Sequence, residues 1–247
     1  MDPKGLFLCA RYSAAPNFFG YCGPDENRSL IQHLKEKKAD KEVQSILSEF
    51  ESLYLNLNLI AHENKIRNPF AAKVVEAYWI GNPLLTHIKN IDYVSLLKEK
   101  FELEKKMGNE AFSRLKYKFL NNKLLPQHSF HVFNIFKRTG NLVVNQTLAT
   151  MDSCRISFGQ VVNPDSLLTR NVIVRTKPLE KMGGKLHLGR KTLKSLRVDY
   201  RGKIFLKELN VGDWVSFHWG FVCDLLTAEQ VKNLEFYTQK AIDFYNI

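Results

Sequence analysis

The sequence predicts an α+β protein: an α-helical N-terminal domain, residues 1–145, followed by a small OB-like β-barrel with a C-terminal helix, residues 150–247. Three observations predict it. Apolar residues recur at helical spacing through the first half. Beyond Gly140 the period falls to two, in short runs divided by Gly, Pro, Asn and Asp. An amphipathic stretch with a capping signal at Thr227 closes the chain.

In the first half, Leu30, Ile31 and Leu34 and then Val43, Ile46, Leu47, Phe50, Leu53, Leu57 and Ile60 follow spacings of three and four. They predict helix from Leu30 to about Glu63. The stretch NPFAAKVVEAYWIG reads as a helix with Asn68 as N-cap, Pro69 at the first helical position and Gly81 as the stop. Residues 92–120 predict one or two more helices, broken at Gly108–Asn109. In the second half CRISFGQVV, NVIVRTKPL, GKLHLG, SLRVDYRG and DWVSFHW are five strand candidates, which suit a small, partly open barrel. Thr227 and Gln230 form a capping box before the last helix. The boundary falls at 140–150, and no internal repeat interrupts either half.

The 247 residues carry 36 Lys or Arg against 25 Asp or Glu, a net charge of +11. That excess fits nucleic acid, anionic lipid or an acidic protein as partner. No basic leader with an apolar core opens the chain and no run of about 20 apolar residues occurs, so a cytoplasmic protein without a membrane span is expected. Cys9, Cys22, Cys154 and Cys223 lie far apart with no CxxC, which predicts reduced thiols.

Alternation along DWVSFHWGF puts Val215, Phe217, Trp219 and Phe221 on the core face and Trp214, Ser216 and His218 on the other, where a partner or ligand could reach His218. A hydrogen-bonded histidine on a half-exposed sheet is the plainer role. Cys154 opens the first strand candidate, either as a small buried hydrophobe or as a thiolate with Arg155 beside it. In LFLCARYSAAPNFFGYCGPD the turns at Gly20, Gly23 and Pro24, with Asp25 to cap the next helix, frame Cys22 among Tyr12, Phe18, Phe19 and Tyr21. Cys22 there is a nucleophile, a ligand or a packed thiol. His62, Glu63, Arg67 and Glu76 either line a cleft or sit on solvated helix faces. His128 and His131, three apart, share a face if helical and point apart if extended. No Walker loop, dinucleotide fingerprint, HExxH or serine-nucleophile elbow is present.

The segments CRISFGQVV from Cys154 and VGDWVSFHWGFVCDLLTAEQVKNLEFY from Val211 resemble the two motifs of the HypC/HupF hydrogenase-maturation chaperones: Cys-x-x-x-Pro-Gly-x-Val-Val and Gly-Asp-Tyr-Val-x-x-His-x-Gly-Phe-Ala. Cys154, Gly159, Val161, Val162, Gly212, Asp213, His218, Gly220 and Phe221 carry the match, from residue 154 to the end of the chain. Phe158 stands where that family has proline, and Cys154 is internal where the family's cysteine is at the mature N-terminus. The resemblance implies a small barrel with a trailing helix and a non-catalytic role. It implies iron as cargo, Cys154 as its thiolate with His218 beside it, and a maturation scaffold or metalloenzyme precursor as protein partner. The whole chain also looks like an uncharacterised prokaryotic family with ARY…PN…GYCGPD near the start and SFHVF before the second domain, a likeness that brings no activity with it.

Two other functions fit the residues. Residues 170–207 hold twelve Lys or Arg against two acids, a local charge of +10 that includes Arg170, Arg175, Lys177, Arg190, Lys191, Lys194 and Arg197. That favours a nucleic-acid-binding barrel, although only Tyr200 and Phe205 in the segment could stack on bases. The other is an enzyme with a Cys22-centred site in the helical half. A site for iron predicts Cys154 and His218 within about 8 Å on one exposed face.

Overall fold

The computed structural model describes residues 2–24, 30–37, 39–123, 125–135, 147–164, 170–200, 203–204 and 209–247. Helices come first: α1 (Pro3–Phe18), α2 (Leu30–Glu36), α3 (Lys41–Ser48), α4 (Glu51–Glu63), α5 (Ala72–Trp79), α6 (Asn90–Glu99), α7 (Leu103–Met107), α8 (Asn109–Asn121), α9 (His128–Asn134) and α10 (Leu148–Cys154). Strands follow: β1 (Ser157–Asn163), β2 (Asn171–Thr176), β3 (Leu179–Met182), β4 (Lys185–Leu188), β5 (Thr192–Arg197), β6 (Asp199–Tyr200), β7 (Lys203–Ile204), β8 (Trp214–His218) and β9 (Phe221–Leu225). Helix α11 (Ala228–Tyr245) ends the chain. The class is α+β, as the change of period predicts.

Strands β1, β2, β5, β9 and β8 pair in that order into one mixed sheet, and β8 pairs back onto β1. The contact between β5 and β9 is parallel and rests on the single pair Arg197↔Phe221. Val161, Val172, Val174, Leu196, Val215 and Phe217 form the core of this sheet. Hairpins β3–β4 and β6–β7 stand apart from it.

Helix α1 organises the rest. It has almost no polar face: Leu6, Cys9, Tyr12, Ala14 and Ala15 are all buried. A helix apolar all round must be covered all round, and α1 packs against α2, α3 and α5 and also against β8 and β9. Its start is tied to that of α5, because Asp2 accepts from Gly5 N at 3.1 Å and from Ala72 N at 2.8 Å. A Cβ on Gly5 would lie 1.9 Å from the Phe70 carbonyl oxygen, so the two backbones touch and only glycine fits.

Several local expectations hold. The break at Gly108 separates α7 from α8. Thr227 and Gln230 exchange the reciprocal bonds of a capping box at 3.0 and 3.2 Å. Gly81 follows α5 with φ +96°, and Tyr237 of α11 packs against its bare Cα side, donating its hydroxyl to Asn82 O at 2.8 Å. Other expectations need correction. Helix α5 starts at Ala72, since Asn68 spends its side chain on Phe70 N in a preceding turn. Cys154 does not open a strand. It ends α10, where Met151 and Cys154, three apart, bury the same face, and β1 begins three residues later. GKLHLG lies in the β3–β4 hairpin, and the unanticipated β9 takes a place in the main sheet. Among the described residues no helix is long and apolar enough to cross a membrane.

Candidate metal centre

The first residue of α9, the last of α10 and the last of β8 meet at one point. One ring nitrogen of His128, the sulfur of Cys154 and one ring nitrogen of His218 all lie within 4.8 Å of one another. The sulfur is 3.9 Å from His128 Nε2. The two imidazoles sit edge to face, 5.1 Å between centroids at 79°. Trp79 packs on both rings, at 4.6 and 5.8 Å. A backbone bond from Trp219 N to Ser153 O, 2.9 Å, locks the β8–β9 turn to the end of α10 and so holds His218 beside Cys154.

The orientation of His218 traces to a proline. Pro16 lies inside α1 and has no N–H to give the carbonyl four residues back, which belongs to Tyr12. That freed oxygen takes its bond from His218 Nδ1 at 2.8 Å. A carbonyl only accepts, so Nδ1 carries the proton and the lone pair of the neutral ring is on Nε2. His218 is 2% exposed, and its Nε2 makes no hydrogen bond of normal geometry; the Cys154 carbonyl beside it is taken up by His128 Nε2 at 2.8 Å. A buried polar atom left without a partner is costly; a metal ion would satisfy it.

His128 is the convertible member. Its Nε2 donates to the Cys154 carbonyl at 2.8 Å while Tyr78 OH lies 3.2 Å from Nδ1. A phenol both donates and accepts. Moving the ring proton to Nδ1, where Tyr78 oxygen accepts it, would free the Nε2 lone pair, 3.9 Å from the Cys154 sulfur, for a metal once its bond to the Cys154 carbonyl is given up. Tyr12 O and Tyr78 OH stand to these two rings as the outer partners of ligating imidazoles stand in metal sites.

Without a cation the cluster is neutral. Burial pushes His218 down to about 4, against the backbone of Tyr12 and Cys154, which acts the other way. Burial, then the neighbouring His218, holds His128 well below its ordinary value. Burial, then Cys22, pushes the Cys154 thiol well up. Two imidazole lone pairs and a thiol that a cation would deprotonate form a borderline-soft donor set suited to zinc or iron.

The full length, residues 1–247, matches the model of a family of unknown function (DUF6390). The chain belongs to this family. No curated protein and no solved structure matches it.

In this DUF6390 protein the two residues singled out by their motifs, Cys154 and His218, do come together, but not on an exposed face. The sheet face that carries Ser216 and His218 is covered by α1: Tyr12 OH lies 2.7 Å from Ser216 Oγ, and both residues are fully buried. Alternation also ends at His218, since Trp219 turns with φ +51°. His131 shares α9 with His128 yet stays outside the cluster; its ring is 5.5 Å from Phe101, and burial pushes it down to about 3. Cys22 is half-buried, with its thiol pushed up to about 11 by burial, the reverse of an activated nucleophile. Glu76 is engaged elsewhere, accepting from Gln230 Nε2 at 2.6 Å and Asn82 Nδ2 at 3.2 Å. The His62 side chain is 84% exposed beside Glu63. These residues do not converge on Cys22. Asp25 lies outside the described residues.

Of the basic set, Arg170, Arg175, Arg190, Lys191 and Arg197 are exposed. Lys177 pairs with Glu235 at 3.3 Å, Lys194 with Asp152 at 3.6 Å and Arg170 with Asp199 at 3.5 Å. Sequence reasoning missed Pro16 and Tyr78, read Tyr12 only as an aromatic beside Cys22, and did not join His128 to the second half. One signal was legible: SAAPNF places a proline within an apolar helical run, and such a proline always frees a carbonyl.

Proposed function

We propose that this protein is a non-catalytic accessory protein that holds one transition-metal ion at His128, Cys154 and His218, between its helices and its sheet. The observation that carries this is the buried His218 Nε2, left without a partner beside a thiol and a second imidazole. Zinc and iron both suit the donors. The likeness of the Cys154 and His218 motifs to HypC/HupF supports iron as cargo and a maturation scaffold or metalloenzyme precursor as partner. The strand order, with β8 returning to β1, supports a small OB-like barrel.

The test is metal content and co-purification of the full chain from its native host. About one ion per chain is expected, lost in Cys154→Ser and His218→Gln, together with a protein partner. Wild-type protein carrying no ion and taking none up after reduction would end this reading. A nucleic-acid role is the second reading, favoured by the exposed Arg170, Arg175, Arg190, Lys191 and Arg197. It requires a salt-dependent gel shift; no shift at low salt removes it.

A further inference from the structure

We propose that the outer edge of β5 is a docking strand for an extended, acidic segment of a protein partner, which adds to the sheet beside Leu193 and Ser195. It names the chemistry of the protein partner proposed above and stands apart from the metal ion.

The direction of each backbone group on β5 follows from two hydrogen bonds. Arg197 N donates to Gly220 O, on the β9 side, at 2.9 Å. Val198 N, one residue on, donates to Arg170 O at 3.2 Å, on the β2 side. Alternate residues of a strand turn their backbone groups to the same edge, and β5 pairs with β2 in unbroken register from Asn171↔Arg197 to Thr176↔Thr192. Leu193 and Ser195 therefore present their N–H and C=O groups on the same side as Arg197. There β9 reaches only as far as the pair Arg197↔Phe221. Among the described residues no backbone hydrogen bond reaches the outer groups of Leu193 or Ser195. Both residues are exposed, Leu193 at 65%. From Thr192 to Leu196 the open edge is about 17 Å long, enough for a peptide strand of about five residues.

Charge selects the occupant. An open edge offers its backbone to other strands, and natural edges are guarded by charge. Here the charge has one sign. Arg190 and Lys191 precede the strand, Arg175 lies directly across from Leu193 on β2, and Arg197 ends it; all four are exposed. Residues 189–197, GRKTLKSLR, contain no acid. A second copy of this edge is repelled, and a strand with acidic side chains is attracted. The two faces of β5 set the spacing. Leu193, Ser195 and Arg197 share the outer face with Arg175, whereas Leu196 is buried on the other face and Lys194 reaches over the Phe217 ring at 5.3 Å. Alternating acidic and apolar side chains match these faces. At the Arg197 end the edge meets aromatic rings: the guanidinium lies 5.6 Å from the Phe221 centroid, and Phe221 lies 5.7 Å from Phe19, which is 42% exposed.

The test uses the full chain and a fluorescein-labelled hexapeptide of alternating Glu and Val, followed by anisotropy. Saturable binding that weakens as salt rises is expected, with the Lys-Val counterpart about tenfold weaker or more. Ser195→Pro removes only an outward N–H, a position where edge strands tolerate proline. It should weaken the acidic peptide about tenfold or more, with the urea midpoint and cobalt(II) affinity close to those of wild type. Arg175→Glu changes only an exposed side chain and should weaken the peptide several-fold, which keeps the proposal testable where the proline variant does not fold. Amide hydrogen exchange needs no variant: Leu193 and Ser195 should exchange fast in the free chain and at least about tenfold more slowly with peptide bound. Slow exchange of both amides in the free chain overturns the proposal, as does equal binding of the two peptides or acidic-peptide binding that Arg175→Glu leaves unchanged. No binding of the acidic peptide at about 1 mM overturns it too; a single-stranded oligonucleotide that binds in its place assigns the basic face to nucleic acid. The cobalt(II) titration judges the metal reading separately, so either can fail while the other stands.

Discussion

Replacing Pro16 by alanine should raise the stability of this protein and weaken its metal binding. A proline inside a helix is about 3 kcal/mol less favourable than alanine, so a net gain of about 1–2 kcal/mol is expected once strain around the old ring is allowed for. The backbone N–H that Pro16→Ala introduces would point at Tyr12 O, the oxygen that now takes its bond from His218 at 2.8 Å. Competition for that oxygen frees the 2%-exposed imidazole to rotate or to change tautomer. Losing such an orienting partner typically costs 10- to 100-fold in metal affinity, about 1.4–2.8 kcal/mol. The assay pairs urea unfolding of the metal-free chain with cobalt(II) titration of the same sample. A higher midpoint with weaker binding is the expected signature. Unchanged affinity with an altered midpoint would show that Tyr12 O serves both donors and that the proline has no part in aiming His218.

The metal-free protein should be acid-sensitive. His218 and His131 are pushed down to about 4 and 3 by burial, and His128 is lowered too. Below the ordinary histidine value of about 6.5 the unfolded chain takes up protons that the folded chain refuses, so stability falls as pH falls. His218 and His131 each remove about 2 kcal/mol by pH 5, and His128 acts in the same direction. Equal urea midpoints at pH 7 and pH 5 would contradict this. Gly81→Ala should cost several kcal/mol and reduce soluble yield, because a Cβ there meets Tyr237 Cδ2 at 2.1 Å and the backbone has φ +96°; thermal melting checks it, and a melting temperature within a degree or so of wild type refutes it. Thr227→Ala removes the N-cap acceptor for Gln230 N and should lower stability by about 1 kcal/mol without changing cobalt affinity; chemical denaturation read beside the titration separates the two effects.

Much of the secondary structure was legible because it rests on local chemistry. The switch of period after Gly140, the break at Gly108 and the Thr227–Gln230 box all depend on residues a few positions apart. Errors arose where one local signal had two uses. Asn68 satisfies a turn as readily as a helix start, and Cys154 reads as strand in isolation although its burial follows Met151 on a helix. Two of the three residues of the candidate site were legible as well, since Cys154 and His218 stood out in short stretches whose other residues are core. His128 was noticed only for its spacing to His131, a spacing the fold does not use.

By itself the sequence determined the order of a helical half and a strand-rich half, which side chains have donor chemistry, and that His218 leaves the core face of its strand. Only the tertiary structure decided what covers that face. Alternation tells two sides of a strand apart, but it carries no information about a helix two hundred residues earlier. The packing of α1 onto β8, with a carbonyl that Pro16 sets free, converts an apparently accessible histidine into a buried one with a single lone pair left to use. Burial, orientation and partnership are sums over long-range contacts, and those exist only once the chain is folded.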